Sequence, residues 1–335
     1  MTFTWEYLLP LVFMAVMGLA LLAYVVLDGY DLGVGILLPL ASDEQKDVMV
    51  SSIGPFWDAN ETWLVLGIGV LLIAFPLAHG IVLSALYLPV AVMLIGLILR
   101  GVSFDFRVKA RAAHKGTWNN LFALGSLMAA MAQGWMLGSY LTGFDHGWKS
   151  SLFSLGIAMT LPTGYAMLGA GWLIMKTGDE LQARAVQWAR RMLWPMGLAL
   201  VGISLASPLV SQTVFDRWFA MPQFLGLLPI PVTCAVALYA AFHVTARPNV
   251  VAAGYGWVVF ASTVLIFVLA FIGLAYSLYP YIVIDRMTVW QAASATKSLV
   301  FIFVGVAITL PAIIVYTIFM YRVFWGKARE LSYLP

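Results

Sequence analysis

The sequence predicts an all-α polytopic membrane protein: one transmembrane helical domain over residues 1–335, with nine spans. Three observations carry this expectation. Hydrophobic residues fill 62% of the 335 positions and charged residues only 10%. A soluble surface is typically about 25–35% charged, so 18 Lys or Arg and 15 Asp or Glu cannot coat a water-facing protein of this length. Soluble globular and intrinsically disordered classes are both excluded. The apolar runs are continuous over roughly 20 residues, as a bilayer-crossing helix requires, whereas a closed barrel would alternate in segments of about 10. Finally, Lys and Arg concentrate in alternate connecting segments.

In chain order the runs are 8–27, 53–75, 81–99, 119–141, 152–175, 192–212, 222–244, 251–279 and 298–324. Met1 to Glu6 carry no Lys or Arg, so the first run lacks the charged flank of a signal peptide and is expected to be a retained span. With the N-terminus outside, the inside segments collect 14 of the 18 basic residues. These are Lys46, the group from Arg100 to Lys115, the group from Lys176 to Arg191, Arg247 and the group from Arg322 to Arg329. Lys149, Arg217, Arg286 and Lys297 remain outside. The positive-inside rule therefore predicts a periplasmic N-terminus and a cytoplasmic C-terminus. Trp5, Tyr7, Trp148, Trp218, Tyr281, Trp290 and Trp325 fall near span ends, where aromatic side chains anchor to the interface.

The net charge of +3 is too small and too dispersed for a nucleic-acid partner. A single cysteine, Cys234, allows neither an internal disulfide nor a cysteine cluster, and its apolar surroundings read as packing. None of the four histidines (His79, His114, His146 and His243) lies mid-span, where an axial haem ligand would be needed, so the chain is expected to ligate no haem. No metal site is expected either. No Gly-rich phosphate loop stands between a strand and a helix. The mid-span polar residues Gln133, Thr160, Thr163 and Thr309, the last three beside Pro162 or Pro311, read as kink and interhelical hydrogen-bond positions.

Ionisable residues in spans are costly, about 2.5–3.5 kcal/mol each at a helix centre, and here they cluster. Asp28 and Asp31 close the first run in Leu27-Asp28-Gly29-Tyr30-Asp31-Leu32-Gly33-Val34-Gly35. If the helix continues into the apolar Leu32–Leu40, their spacing puts both carboxylates on one face. Asp58 and Glu61 open the second run in Gly54-Pro55-Phe56-Trp57-Asp58-Ala59-Asn60-Glu61-Thr62-Trp63. The third ends in Arg100-Gly101-Val102-Ser103-Phe104-Asp105-Phe106-Arg107. Three adjoining segments thus bring five acids to one membrane face near Arg100 and Arg107. Taken from the residues alone, this is a proton or cation entry site, or a set of ion-paired anchors favoured by the helix dipoles.

These three strings resemble those of subunit II of the cytochrome bd-type terminal quinol oxidases. The corresponding patterns are D-G-[FY]-D-L-G-[VI]-G, G-P-x-W-D-x-N-E-x-W-L-V and R-x-x-x-F-[DE]-[FY]-R. They cover the first third of the chain. Tyr30 stands for the commoner Phe, Ala59 for Gly, and Gly101 and Ser103 for the common Pro and Gly; no ionisable residue departs. The short outer loops resemble the compact cyanide-insensitive branch.

The resemblance implies a bacterial inner-membrane complex that oxidises quinol and reduces O₂ to water with cytoplasmic protons. Two b-type haems and one d-type (or b-type) haem would sit in a partner, subunit I. This chain would be its haem-free companion, in contact with membrane lipid and, in some complexes, with a small single-span accessory subunit. Carried over by position, Asp28, Asp58 and Asp105 would line a proton route, with Asp31 and Glu61 structural or proton-linked. Trp63 would stand on an oxygen path, and Trp57 and Arg100 near a structural ubiquinone. Two other classes remain open on the sequence: a cation-coupled secondary transporter and a purely structural assembly subunit.

Overall fold

The computed structural model describes residues 4–328; Arg329 and the C-terminus, both counted above in assigning sidedness, lie outside the described residues. Helix α1 runs over Trp5–Leu37 and a 3₁₀ turn closes it. Then follow α2 (Asp43–Ile53), α3 (Trp57–Ala74), α4 (Pro76–Ala85), α5 (Tyr87–Lys109), α6 (Ala112–Leu141), α7 (Trp148–Lys176) and α8 (Asp179–Val210). Short helices α9 (Gln212–Phe219) and α10 (Gln223–Leu227) lead into α11 (Pro229–Thr245), α12 (Pro248–Val250) and α13 (Trp257–Leu278). Strands β1 (Tyr281–Val283) and β2 (Met287–Thr288) pair antiparallel, and α14 (Val289–Ala292) precedes the last helix, α15 (Thr296–Val323). Among the described residues nine helices are long and apolar enough to cross a membrane, as the sequence predicts.

The boundaries shift where local chemistry overrides hydropathy. The first span does not stop at residue 27 but continues to Leu37, so Asp28 and Asp31 lie inside a helix rather than at its end. Leu32, Val34 and Leu37 pack into the core and hold the extra turns together. The run 53–75 divides, because Pro55 has no N–H to continue the helical ladder: Ile53 ends α2, and α3 begins at Trp57. Ser42 and Gln45 start α2 with a reciprocal capping box. The expected outer loop bearing His79 is α4, opened by Pro76 in its first turn. The third span starts at Tyr87 instead of residue 81 and extends past residue 99 to Lys109, which places Arg100, Asp105 and Arg107 on one helix. Helix α8 starts well before residue 192, because Leu181, Ala185, Trp188 and Ala189 form a buried stripe beneath a charged outer face. The eighth span starts at Trp257, not residue 251, because Gly254 adopts φ of 92° and turns the chain.

Helix α7 is the axis of the bundle and packs against α1, α6, α8 and α13. Its contact with α1 is backbone on backbone. A Cβ on Gly33 would fall 1.8 Å from the Tyr165 carbonyl oxygen, and one on Gly169 would fall 2.4 Å from the Gly33 carbonyl carbon. Small residues let membrane helices approach in this way, and here they set the depth at which the Asp28–Asp31 face meets its neighbours. Gly33→Val should separate α1 from α7 and cost more than the roughly 1–3 kcal/mol typical of an overpacked core. Gly69→Ala, where nothing lies within 4 Å of the new Cβ, should be neutral. Thermal unfolding of the two purified variants in detergent checks the contrast.

Candidate functional site: a buried acid cluster

Asp28 and Asp31 sit one turn apart on α1, each with no exposed surface. Arg100 reaches them from α5 and is itself 1% exposed. Its Nη1 donates to Asp28 Oδ1 at 2.6 Å, and its Nη2 lies 3.2 Å from Glu61 Oε1 without hydrogen-bond geometry. The guanidinium also stands 5.7 Å from the centre of the Trp57 ring, a cation–π distance. Asn60 on α3 donates from Nδ2 to Asp31 Oδ2 at 2.8 Å, to the Tyr30 hydroxyl oxygen at 2.9 Å and to the Leu27 carbonyl at 3.2 Å.

A second polar chain starts on the other side of Asp28. Tyr24, one turn earlier on α1, places its hydroxyl beside the same carboxylate. Gln133 of α6 donates to the Tyr24 oxygen at 2.9 Å and accepts from the Tyr165 hydroxyl of α7 at 2.5 Å. The interhelical role predicted for Gln133 is therefore observed. Thr160, Thr163 and Thr309 instead bond to carbonyls of their own helices.

Six buried polar atoms in this region have no hydrogen-bond partner among the described residues: Asp28 Oδ2, Asp31 Oδ1, Glu61 Oε1, Arg100 Nη2, Ser103 Oγ and Trp63 Nε1. Each such atom costs about 1–3 kcal/mol if left dry, so their clustering marks a place built to receive a polar guest. Chemically, carboxylates around one guanidinium can hold or pass a proton, with Arg100 as a fixed positive charge.

The structure thus brings Asp28, Asp31, Glu61 and Arg100 into one cluster. Asp58 and Asp105 stay outside it: both are exposed, and neither makes an ion pair or hydrogen bond among the described residues. They occupy the same end of the bundle, since Trp57 beside Asp58 packs on Phe104 beside Asp105 at 5.0 Å between ring centres. Trp63 is 4% exposed and packs with Ala20 and Tyr24. Arg107 is tied elsewhere, by a bond from its Nε to Asn119 at 2.5 Å and an ion pair with Asp47 at 2.7 Å.

Sequence reasoning missed Asn60, Tyr24, Asp47 and Tyr321. Asn60 lay in a quoted string between two acids, and an amide in a span beside carboxylates was signal enough to single it out. Tyr321 meets Asn60 across 261 residues, which no local pattern reveals. The histidines stay apart from the cluster: His114 and His146 are exposed, His79 and His243 half-buried. Among the described residues no group of three or more His, Cys, Asp or Glu is arranged to hold a metal ion.

Fold and site together define a class: a nine-helix membrane bundle that gathers buried carboxylates around one arginine near one end. The family model described as cytochrome bd terminal oxidase subunit II matches residues 9–324. The chain is 25% identical to the cytochrome bd-I ubiquinol oxidase subunit 2 of Escherichia coli K12, with 93% of each chain covered. It is 26% identical to the cytochrome bd ubiquinol oxidase subunit 2 of Bacillus subtilis, covering 89% of this chain and 90% of that one. The bd oxidase structure from Geobacillus thermodenitrificans shares the fold, with a TM-score of 0.75 at 17% identity over 95% of this chain and 99% of that chain. The chain belongs to the cytochrome bd terminal oxidase subunit II family. It is accordingly a subunit of a respiratory oxidoreductase complex and a multi-pass protein of the inner membrane.

Removing one partner of a buried ion pair strands the other, at roughly 3–5 kcal/mol. Arg100→Gln is expected to lower the stability of the purified protein by that order. Adding Asp28→Asn to it should recover part of the loss, because the stranded carboxylate is then gone. Denaturant unfolding of the two variants beside the parent measures both steps, and an Arg100→Gln protein as stable as the parent would remove the pair from the argument.

Proposed function

We propose that this chain is the haem-free second subunit of a quinol:O₂ oxidoreductase and supplies a proton-conducting entrance for a haem-bearing partner, subunit I. The family match, and relatives whose names specify ubiquinol oxidation, support this reading over a transporter. In it, two haems b and one haem d (or b) reside in subunit I and reduce O₂ to water, while this chain handles protons. The observation that carries the proposal is the buried cluster of Asp28, Asp31, Glu61 and Arg100 with its open polar atoms, beside two bare surface carboxylates at the same end.

That end also carries Lys46, Arg107, Lys109, Arg111 and Lys115, and Lys115 lies 3.5 Å from Asp47. The positive-inside rule makes it the cytoplasmic end, which puts the N-terminus in the periplasm. Asp58 and Asp105 then take protons from the cytoplasm, and Asp28, with Asp31 and Glu61 beside it, receives them within the membrane. Arg100 keeps a negative carboxylate tolerable there without itself titrating. Trp63, its ring buried against Ala20 and Tyr24, suits the wall of a path for apolar O₂. Trp57 and Arg100 suit a structural ubiquinone: one offers a half-buried aromatic face, the other a donor in Nη2 that makes no hydrogen bond among the described residues.

A second reading is favoured by one observation. The 2.6 Å pair between Arg100 and Asp28 is the geometry of structural glue between α1 and α5. Asp58 and Asp105 separate the two readings because they pair with nothing among the described residues. Asp58→Asn and Asp105→Asn should each leave the haem absorption spectrum of the purified complex intact and slow quinol-driven oxygen uptake several-fold. Uptake unchanged in both variants would sink the proton role and leave glue. The tagged parent, purified in mild detergent, should bring a coloured partner with it. A colourless chain recovered alone would sink the oxidase reading itself.

A further inference from the structure

The hydrogen bonds around Asn60 form a closed ring whose directions are fixed by chemistry. The amide nitrogen must face Asp31 and Leu27, since the reversed amide would set its carbonyl oxygen against a carboxylate and a backbone carbonyl. Its two hydrogens point at Asp31 Oδ2 at 2.8 Å and the Tyr30 oxygen at 2.9 Å, with Leu27 sharing at 3.2 Å. The Asn60 Oδ1 accepts from the Tyr321 hydroxyl of α15 at 3.3 Å. The two tyrosine oxygens lie 2.6 Å apart. Either oxygen can donate across that short contact, but only donation by Tyr30 leaves the Tyr321 proton for Asn60 and gives every group of the ring a partner. The ring runs from Asn60 to Tyr30 to Tyr321 and back to Asn60, and one amide hydrogen is left for Asp31.

We propose that Asn60, Tyr30 and Tyr321 are positioning residues that aim Asp31 and seal it on one side, so that protons reach and leave it only through its unpartnered Oδ1. The assignment rests on the proton-route reading above. Every hydroxyl proton in the ring is committed, and an amide N–H does not relay protons, so no exit leads from Asp31 toward α15. The ring is held by aromatic packing: Tyr30 stacks on Trp172 at 4.2 Å, and Tyr321 lies 4.7 Å from Phe56 between ring centres. Lys176 stands over both Phe56 and Trp172 and donates to the Phe324 carbonyl at 2.6 Å, fixing the end of α15 where Tyr321 sits. Helix α15 is otherwise barely buried, with Leu299 its one buried residue, so this polar contact adds to the packing of Leu310, Ile313 and Ile314 on Ala20, Tyr24 and Trp63 in registering it against α1 and α3.

The test uses the intact complex with its haem-bearing partner. The infrared difference band of Asp31 is assigned by its loss in Asp31→Asn. Tyr321→Phe and Tyr30→Phe are each expected to shift that band. Each should also lower the turnover of oxygen uptake about two- to tenfold, the factor one neutral hydrogen bond is worth, at unchanged KM for quinol and unchanged haem content. The double variant should be slower than the parent by less than the product of the single effects, because both singles break the same ring. If Tyr321→Phe fails to assemble, Tyr30→Phe carries the test alone. Loss of the haem-bearing complex in both single variants would make the ring a clamp only and overturn the proposal. A band that stays in place in an intact complex overturns it as well. Unchanged turnover in Asp31→Asn would instead defeat the proton role of Asp31, and the band shift would still decide whether the ring positions it.

Discussion

A guanidinium with 1% of its surface exposed, inside a bundle of apolar helices, is the constraint around which this protein is organised. Arg100 cannot shed its charge, and hydrocarbon cannot solvate it, so carboxylates must come to it. Asp28 comes from α1 and Glu61 from α3, and the helices that carry Asp28 and Arg100 are held at the required depth by glycine contacts. The close approach of Gly33 to Gly169 brings α1 onto α7, and Gly96 and Gly125 bring α5 onto α6, each Cβ there meeting the opposing backbone below 3 Å. Packing and electrostatics are one design here. Small residues bring the charged helices together, and the ion pair makes that closeness worth its desolvation cost.

The two ends of the bundle solve different problems. At the acid end, α2 and the last turns of α5 and α15 are cross-tied by charge: Arg107 to Asp47, Lys176 to the Phe324 carbonyl, Lys327 to the Thr177 carbonyl. At the other end, neutral groups close the surface. Tyr140 donates to the Ile282 carbonyl, Trp218 to Ser277 and Trp290 to the Tyr7 carbonyl. A charged group there is Asp145, just before α7, whose carboxyl Ser150 and the Gly147 amide hold below the usual carboxylate range.

Helix number was legible in the sequence because bilayer thickness imposes a run length that hydropathy detects directly. Helix ends were less so. Residues 28–37 continue α1 because Leu32, Val34 and Leu37 find partners in α6 and α7, which is tertiary information. The start of α8 was hidden for a related reason, since an amphipathic stretch with Arg184, Arg190 and Arg191 on its outer face does not read as hydrophobic. Asp28, Asp31, Glu61 and Arg100 were legible as a group because charge in a span is rare enough to weigh residue by residue. Asp58 and Asp105, named with them, turn out to face outward, a distinction that i,i+3 spacing within one helix cannot make. Tyr321 was invisible, since one tyrosine near the end of an apolar helix is indistinguishable from an interfacial anchor.

Apart from Tyr321, the polar network lies on α1, α3, α5, α6 and α7. Of the most apolar stretch of α7, 61% is buried, against 6% for α15 and 11% for α8. Polar groups inside a membrane must be held by protein on all sides, and the well-covered helices α1, α3, α5, α6 and α7 provide that cover. The poorly covered helices present Phe301, Val304, Ile308, Trp194 and Leu198 outward, side chains that cost nothing against lipid or another apolar surface. Tyr321 is where these two regimes meet: a helix with an exposed apolar face sends one hydroxyl inward to complete the hydrogen bonding of Asn60. A helix with so little buried surface is oriented in part by the two hydrogen bonds of that hydroxyl, and the acid cluster gains a closed wall from a helix that otherwise belongs to the surface.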